Sequence, residues 1–194
     1  MNEMQEKLFN PLLGLSNDKV QLRIAEYNDF ESLKKIAFDL SIWTYFPIEI
    51  VDEAALQSFI EEALNDHSKK QRVTFVIIDR EINSIAGMTS FGNISYKDKR
   101  LEIGWSWLTP NAQGTGINQI NKSLMLQFAF NELNFVRVEF KTDVLNIRAR
   151  KALLKIGARE EGVLRSHTLM HHERRRDTIY YSILSSEWKM PANV

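Results

Sequence analysis

Two hydrophobic patterns, one with a period of two and one with helical spacing, follow each other along the first half of the chain. The segment from Val20 to Glu26 alternates apolar and polar residues, which is typical of a half-buried strand. Amphipathic helices are predicted from Asp29 to about Leu40 and from Asp52, a common N-cap residue type, to about Asn65. Strands are predicted next over Arg72–Asp79, Ile82–Ile94 and Arg100–Leu108.

The second half continues the same alternation of element types. A long helix is predicted from Ile117 to about Asn134, and Gly157 is placed to end a later helix as its C-cap. A strand over Val136–Asp143, that helix over Ile147–Ile156, and final strands over Ala158–Thr168 and Thr178–Leu184 complete the pattern. The polar run His171–Arg176 between the last strands is interpreted as a solvated hairpin, with contact to substrate or to coenzyme phosphates as the alternative. The order β-α-α-β-β-β-α-β-α-β-β predicts an α/β protein.

The first residues break this pattern. Apolar positions near helical spacing are interrupted by Pro11 and Gly14, so we expect residues 1–19 to form an appended turn that lies on the body. No repeat or linker-like run divides the remaining chain. With 194 residues in total, residues 20–194 are predicted to form one domain.

Composition narrows the classes of function. Lys plus Arg number 25 and Asp plus Glu number 25, so the chain lacks the basic excess typical of nucleic-acid binding. It has 0 cysteines, which excludes disulfides and a thiol nucleophile and suits a reducing compartment. The sequence has neither a signal-peptide core nor an apolar run of about 18 residues. We therefore expect a cytoplasmic protein with no nucleic-acid or membrane partner.

The clearest local motif lies between the predicted strand Arg100–Leu108 and the long helix. The segment Leu108–Asn118 ends a strand in a turn with two glycines and opens a helix, an arrangement whose backbone N–H groups suit phosphates. It lacks the Gly-Lys-Ser/Thr of a P-loop, and Gln119 replaces the third glycine of a dinucleotide fingerprint. A plain strand-to-helix turn and a nucleotide-dependent enzyme of another fold remain as alternatives.

Further segments give this motif a context. Gln113–Asn118 resembles the Gln/Arg-x-x-Gly-x-Gly/Ala loop of the GCN5-related N-acetyltransferases, although Asn118 stands where that loop prefers Gly or Ala. The preceding strand, Leu101–Pro110, also resembles that family. So does the second motif, Asn146–Arg165, and Arg176–Trp188 resembles the C-terminal signature of the RimJ/RimL-type branch. The resemblance covers about Val20 to Trp188 and implies a mixed sheet of about seven strands, splayed at the cofactor site and flanked by helices.

The resemblance implies acetyl-coenzyme A (acetyl-CoA) as acyl donor and an amine as acceptor. No metal is expected, because the four-residue spacing of His167 and His171 aligns two ligands only on a helix, and this segment is predicted as strand and loop without a nearby carboxylate cluster. The pyrophosphate is expected on the loop amides, and the pantetheine arm is expected to pair like an extra strand with the backbone around Trp107–Thr109. Asn146 would contact that arm, although a simple helix cap is the alternative. The expected cofactor residues are Trp107, Leu108, Thr109, Gln113, Gly114, Thr115, Gly116, Ile117, Asn118, Asn146 and Arg150.

Glu102 is the expected catalytic base, because some family members place a carboxylate there that acts through water. Alternation predicts Glu102, Gly104 and Ser106 on one face of the strand and Leu101, Ile103, Trp105 and Trp107 on the other, although a β-bulge could re-aim Glu102. An exposed strand carboxylate is the alternative. The family's usual general-acid positions are Leu153 and Ala149 here, so Tyr180, Tyr181 or water could serve, or no acid is needed.

The acceptor is predicted only as a class. Protein N-termini, including those of ribosomal proteins, and small amines such as polyamines are the acceptors that the resemblance implies. Trp43, Tyr45 and Trp105 are expected to line the acceptor pocket. Members of the family often dimerise, so a homodimer is one alternative that the resemblance implies, but no apolar stripe in the sequence indicates one and the oligomeric state is left open. A non-catalytic acyl-CoA-binding regulatory module is the competing hypothesis, supported by Leu153 and Ala149 and opposed by Glu102.

Overall fold

A single mixed sheet organises the structure. The computed structural model describes residues 3–189, and its eight strands lie in the order β1-β2-β3-β4-β5-β6-β8-β7. The strands are β1 (Gly14–Ser16), β2 (Val20–Ile24), β3 (Val73–Asp79), β4 (Ser84–Ser95), β5 (Arg100–Leu108), β6 (Arg137–Asp143), β7 (Arg159–Leu169) and β8 (Arg175–Leu184). The helices are α1 (Glu3–Leu8), α2 (Phe30–Ala37), α3 (Glu53–Ser68), α4 (Ile117–Gln127) and α5 (Ile147–Lys155).

From β2 onward the element order is the predicted one. Asp52 caps α3 by accepting the N–H of Ala55 at 2.8 Å, and Gly157 ends α5 at φ +89°. The predicted end of the long helix differs, because α4 stops at Gln127 and the chain continues as a π-helical turn over Phe128–Glu132.

Residues 3–16 are more regular than the expected turn. They form α1 and β1, and β1 pairs antiparallel with β2 at the edge of the sheet. Leu8 of α1 is fully buried in the main core. The N-terminal segment therefore supplies the eighth strand, one more than the expected number.

The sheet opens between β5 and β6, which are its only parallel pair among the described residues. Their pairing covers only Arg100–Glu102 against Arg137–Glu139. Beyond Glu102, β5 runs on to Leu108 and β6 runs on to Asp143 without pairing with each other. The expected splay is present, and one edge of β5 faces an opening rather than a strand.

A β-bulge in β5 changes which side chains face which side. Met88 pairs with Trp107 while Ser90 pairs with Gly104, so β5 carries one extra residue, and Trp105 has φ +49°. The ring of Trp105 lies over Gly92, the cross-strand partner of Glu102. The strict alternation predicted for β5 is therefore wrong beyond Ile103: Trp105 and Trp107 share the face of Glu102, whereas Ser106 faces α4.

The two faces of the sheet carry separate cores. Helices α4 and α5 pack on one face with residues such as Phe91 and Ile103, and α2 and α3 pack on the other with residues such as Met88 and Trp107. Trp43 belongs to the second core with no exposed surface; its indole N–H donates to Ala37 O at 2.7 Å. The structure thus places Trp43 in the core and not in an acceptor pocket.

We expect Trp43→Ala to lower the free energy of unfolding by ~4 kcal/mol, because it removes a fully buried ring. Trp43→Phe keeps an aromatic ring but leaves the carbonyl of Ala37 without its donor, so we expect ~2 kcal/mol. Urea unfolding measures both. Tyr27→Ala, at a side chain that is 54% exposed, is the control. A loss below ~1 kcal/mol for Trp43→Ala would contradict the assignment of Trp43 to the core.

Candidate active site

Two connected cavities fill the opening between β5 and β6. The first, called the loop cavity, has a volume of 330 Å³ and is lined by Trp107, Gln113, Gly114, Asn118 and Arg148 among others. The second, called the strand cavity, has a volume of 350 Å³ and is lined by Glu102, Lys122, Lys141, His167 and Arg176 among others. Ser106, Asn118 and Asn146 line both, so the two cavities meet between the end of β5 and the start of α5.

The loop cavity is built around the start of α4. Gly114 and Gly116 adopt φ +82° and +98°, a region that side chains with a Cβ disfavour, and Gly116 is the N-cap of α4. The first N–H groups of a helix have no partner within it, and the helix dipole adds partial positive charge there. This end of the cavity is therefore suited to an anionic group such as a pyrophosphate.

Gln113 connects the two sides of the opening. Its amide Nε2 donates to the carbonyl of Leu108 at 3.0 Å, and its Oε1 accepts from the guanidinium of Arg148 on α5. Asn146 caps α5 by accepting the N–H of Ala149 at 3.0 Å and also lines both cavities. The loop, β5 and α5 are thus joined through polar side chains at the wall of the loop cavity.

Glu102 lies in the wall of the strand cavity and is only 4% exposed. Its carboxylate accepts from Asn93 Nδ2 at 2.6 Å and pairs with Lys141 Nζ at 3.1 Å. The same residue lines a third space of 680 Å³, called the polar cleft, together with Asp66, Arg72 and others. A carboxylate between a cavity and a polar cleft can accept a proton on one side and release it on the other.

A sequence profile described as "Acetyltransferase (GNAT) domain" matches residues 19–159, well over half of the chain. The chain belongs to the GNAT acetyltransferase family. The solved structure of a GCN5-related N-acetyltransferase from Brucella melitensis is similar with a TM-score of 0.83 and 22% identity, covering 91% of this chain and 80% of that one. That likeness confirms the GNAT fold.

Two Bacillus subtilis (strain 168) relatives are similar over most of the chain. "Uncharacterized N-acetyltransferase YnaD" is 26% identical over 176 residues, covering 91% of this chain and 99% of the relative. "Putative ribosomal N-acetyltransferase YdaF" is 27% identical over 183 residues, covering 89% of this chain and 95% of the relative. The similarity therefore spans whole relatives and not a shared fragment.

The GNAT structure brings most of the expected cofactor residues together. The loop cavity is lined by Trp107, Leu108, Gln113, Gly114, Gly116, Asn118 and Asn146. Three others are close to it in sequence but do not line it: Thr109 accepts from the N–H of Ala112, Thr115 donates to the carbonyl of Ala112, and Ile117 is buried in the core. These three hold the loop in shape.

Arg150 points away from the loop cavity. Its guanidinium donates to Tyr181 Oη at 3.2 Å and to Val144 O at 3.1 Å, and it lies 3.7 Å from Glu160. Arg148, two positions earlier on α5, lines the cavity instead. Two residues on a helix differ by about 200° in direction, so the motif alone could not choose between the two arginines.

Of the three expected acceptor residues, two line the cavities and one does not. Tyr45 lines both cavities, and Trp105 lines the strand cavity and the polar cleft, with the Arg72 guanidinium 4.9 Å from its ring centroid. Trp43 lines none of these spaces.

The interpretation of His171–Arg176 as a solvated hairpin is wrong for Arg176, which is 6% exposed and lines the strand cavity. Arg176 donates from Nε to Thr178 Oγ1 at 3.1 Å and from Nη1 to Tyr45 O at 3.4 Å. Burial lowers the pKa of Arg176, and the charge of Asp143 opposes that effect. A buried arginine thus contributes positive charge to the strand cavity.

Sequence analysis did not single out Lys122. It lies on α4, is 4% exposed and lines the strand cavity. Its Nζ contacts Ser106 Oγ at 2.6 Å and Thr89 Oγ1 at 3.0 Å. Burial lowers the pKa of Lys122 to about 7, because an ammonium is poorly solvated there. Little in the sequence indicates this cluster, because β4 also contains Ser84, Ser90 and Ser95, and Thr89 does not stand out among them.

Glu49, His171 and His172 bring a carboxylate and two imidazoles together, with their ligand atoms within 4.8 Å of one another. The pair considered from the sequence, His167 and His171, is not part of one cluster, since His167 Nδ1 contacts Thr178 Oγ1 at 3.1 Å. Glu49 forms an ion pair with each of the two histidines when that histidine is protonated.

In residues 3–189, no helix has the length and apolar character needed to cross a membrane.

We expect Lys122→Met to stabilise the protein, most strongly at and below pH 7. An unfolded lysine has a pKa of ~10.4, so between pH 7 and that value the unfolded chain binds the extra proton and wild-type stability rises with pH. The free energy of unfolding of Lys122→Met should exceed that of the wild type by ~4 kcal/mol at pH 7, and this difference should be ~2 kcal/mol smaller at pH 9. Denaturant unfolding at both pH values measures this difference.

The matched control is Lys151→Met, at an exposed lysine on α5. We expect no pH-dependent difference between that variant and the wild type. A Lys122→Met advantage that stays constant between pH 7 and pH 9 would show that Lys122 is charged throughout and would contradict the lowered pKa.

Proposed function

We propose that this protein transfers the acetyl group of acetyl-CoA to a primary amine, by direct attack of the amine in a ternary complex. The observation that carries the proposal is the parting of β5 and β6 beyond Glu102, with the glycine loop and the start of α4 at the mouth of the opening. A long ligand with an anionic end and an amide-bearing arm matches such a space. Members of the GNAT family use acetyl-CoA as a substrate.

The donor would lie along the loop cavity. Its pyrophosphate would be held by backbone N–H groups of Gly114–Asn118, where two glycines and a helix N-terminus favour an anion. The arm would pair with the free edge of β5 near Trp107–Thr109. Asn146 and Arg148, both in the cavity wall, would contact the arm and the phosphates. This arrangement leads the thioester towards Ser106, where the cavities meet.

The acceptor would enter the strand cavity. A free amine is mostly protonated at neutral pH and has no lone pair in that form, so one proton must pass to solvent before the attack and a second must be taken as the amide bond forms. Glu102 is the buried carboxylate of this cavity, and its second side opens to the polar cleft. The amine nitrogen would form the amide bond, its proton would pass to Glu102, directly or through water, and the C–S bond would break to release the thiolate.

The finer assignment is to the RimJ/RimL-type branch, with a protein N-terminal amine or a small amine as acceptor. The motif Arg176–Trp188 supports the branch, and the name of YdaF, a ribosomal N-acetyltransferase, supports a protein acceptor. The positive charge of Arg176 and Lys141 in the strand cavity favours an uncharged or acidic acceptor over a polycation. A cytoplasmic location remains a prediction. A homodimer remains an alternative, for which the edge strand β7 exposes Val163 and Leu164.

We expect Glu102→Gln to lower kcat for amine acetylation at least ~100-fold without weakening acetyl-CoA binding, because it removes a general base but preserves the side-chain shape. Thiol release from acetyl-CoA is followed with short peptides that have a free N-terminus and with spermidine. Calorimetry gives the dissociation constant of acetyl-CoA.

Glu139→Gln is the matched control for Glu102→Gln. Glu139 is the β6 residue paired in register with Glu102, but it lines the polar cleft and not the strand cavity, so we expect a change in kcat of less than about threefold. An unchanged rate for Glu102→Gln would remove Glu102 from the mechanism. Tight acetyl-CoA binding by a wild type that acetylates no amine would instead favour the non-catalytic regulatory module.

Arg148→Ala and Arg150→Ala form a second matched pair. We expect Arg148→Ala to weaken acetyl-CoA binding ~3- to 10-fold, because an exposed arginine contacting a phosphate contributes about 1 kcal/mol. Arg150→Ala should leave the affinity unchanged, since its guanidinium faces Tyr181 and Glu160. Calorimetric titration measures both. A greater loss of affinity for Arg150→Ala would contradict the placement of the donor along the loop cavity.

A further inference from the structure

Lys122, an ionisable side chain that lines the strand cavity, has no counterion among the described residues. Lys122 is 4% exposed, and within residues 3–189 no carboxylate lies within ion-pair distance of its Nζ. A buried ammonium without a partner is costly, so such a lysine is rarely present for stability alone. The proposed mechanism so far gives it no role.

Lys122 belongs to a triangle of hydrogen-bonding groups. Its Nζ lies 2.6 Å from Ser106 Oγ and 3.0 Å from Thr89 Oγ1, and the two hydroxyl oxygens are 2.7 Å apart. Ser106 Oγ also lies 3.1 Å from the carbonyl of Gly104. An ammonium would have three N–H donors for these two hydroxyls, whereas a neutral amine has two and a lone pair. The triangle therefore accommodates both protonation states and can exchange a proton.

Ser106 joins this triangle to both cavities. It lines the loop cavity and the strand cavity, and the bulge at Trp105 turns its side chain towards α4 and Lys122. A thioester donor that follows the loop cavity towards the acceptor must pass this residue. The hydroxyl of Ser106 is thus placed near the sulfur that has to leave.

Other proton donors are absent from the α5 side of this junction in the described structure. Ala149, Ala152 and Leu153 are the residues that α5 presents to the strand cavity beyond its cap. Tyr180 lines the polar cleft, and Tyr181 Oη is bonded to Arg150 and Glu160 away from both cavities. Tyr45, between α2 and α3, also lines both cavities, and Lys122 of α4 is the ionisable group in hydrogen-bond contact with Ser106.

We propose that Ser106 and Lys122 together form the proton donor to the departing thiolate. The inference rests on the acetyl transfer proposed above. As the C–S bond breaks, the sulfur takes the hydroxyl proton of Ser106, and the ammonium of Lys122 returns a proton to Ser106 Oγ. The products are the amide and the free thiol. The amine's proton, held by Glu102, leaves through the polar cleft, and Lys122 regains a proton from solvent before the next turnover.

The charge environment sets the pH range of this step. The charged or titratable side chains that face the strand cavity with Lys122 are Tyr45 between α2 and α3, Glu102 of β5, Lys141 of β6, His167 of β7 and Arg176 of β8. Burial lowers the pKa of Lys122 to about 7. The ammonium that donates the proton is therefore half populated at pH 7, predominates below that pH, and is lost as the pH rises above it.

The first experiment does not depend on turnover. Lysine ε-carbon resonances of the ¹³C-labelled protein are titrated by NMR, and Lys122 is assigned by its absence from Lys122→Met. We expect an apparent pKa near 7. A Lys122 that titrates near 10 would overturn the proton donor even if the protein acetylates amines.

The second experiment is kinetic, with acetyl-CoA and the most reactive of the N-terminal peptides or spermidine. We expect Lys122→Met and Ser106→Ala each to lower kcat ~100-fold with KM for acetyl-CoA unchanged, and the double variant to lose little more, because the two act as a unit. Ser106→Thr, which keeps a hydroxyl, should restore most of the rate. Thr89→Val removes a contact to Lys122 away from the cavities and should cost much less than Ser106→Ala.

The pH dependence separates a catalytic from a structural role. The ratio of wild-type to Lys122→Met kcat should fall as the pH rises from 6 to 9, because only the wild type loses a proton donor. A ratio independent of pH, or losses that multiply in the double variant, would overturn the proposal. Wild-type protein that releases no thiol with any acceptor would overturn the acetyl transfer as well, which distinguishes the two failures.

Discussion

The parting of two parallel strands determines what this molecule can bind. β5 and β6 pair over three residues and then separate, so the backbone edge of β5 and the start of α4 face a common opening. Backbone groups left without a strand partner must find water or a ligand. The bulge at Trp105 accompanies this separation and also decides which side chains enter the opening: Glu102 and Trp105 from one face, Ser106 from the other.

The charges within the opening differ in how they are compensated. Glu102 is held by Asn93 and Lys141, an arrangement that stabilises a carboxylate inside the protein. Lys122 has only hydroxyl neighbours, and burial lowers its pKa to about 7. Glu102 thus has a cationic partner, whereas Lys122 has no carboxylate beside it among the described residues. A pair of ionisable groups with such different environments can divide proton acceptance and proton donation between them.

The order of elements from β2 onward followed from the sequence because hydrophobic periodicity and caps such as Asp52 and Gly157 are local signals. The glycine loop before α4 was also predictable, since its glycines and the following helix are contiguous. The side of the sheet to which each β5 side chain points was not predictable, because the bulge falls at a tryptophan with positive φ rather than at a glycine. Local alternation gives no indication of one extra residue in a pair of strands.

The side-chain errors share a cause, which is that burial and direction depend on distant elements. Trp43 is enclosed by residues of α3 and β5, so its aromatic character could not tell a pocket from a core. Lys122 was overlooked because α4 is buried on most sides, and an amphipathic pattern cannot mark a buried polar residue there. Arg148 and Arg150 lie on different sides of one helix, and only the position of the loop shows which one reaches the opening.

We propose that the opening between β5 and β6 holds acetyl-CoA. The midpoint temperature of thermal unfolding, measured with acetyl-CoA, ATP or NAD, is the direct test of this claim. A ligand at ~100 times its dissociation constant adds about 2.7 kcal/mol, which for a chain of this size raises the midpoint by roughly 5 to 10 °C. We expect this rise with acetyl-CoA and no comparable rise with ATP or NAD. No shift with acetyl-CoA, or an equal shift with ATP or NAD, would contradict the claim and the catalytic roles that depend on it.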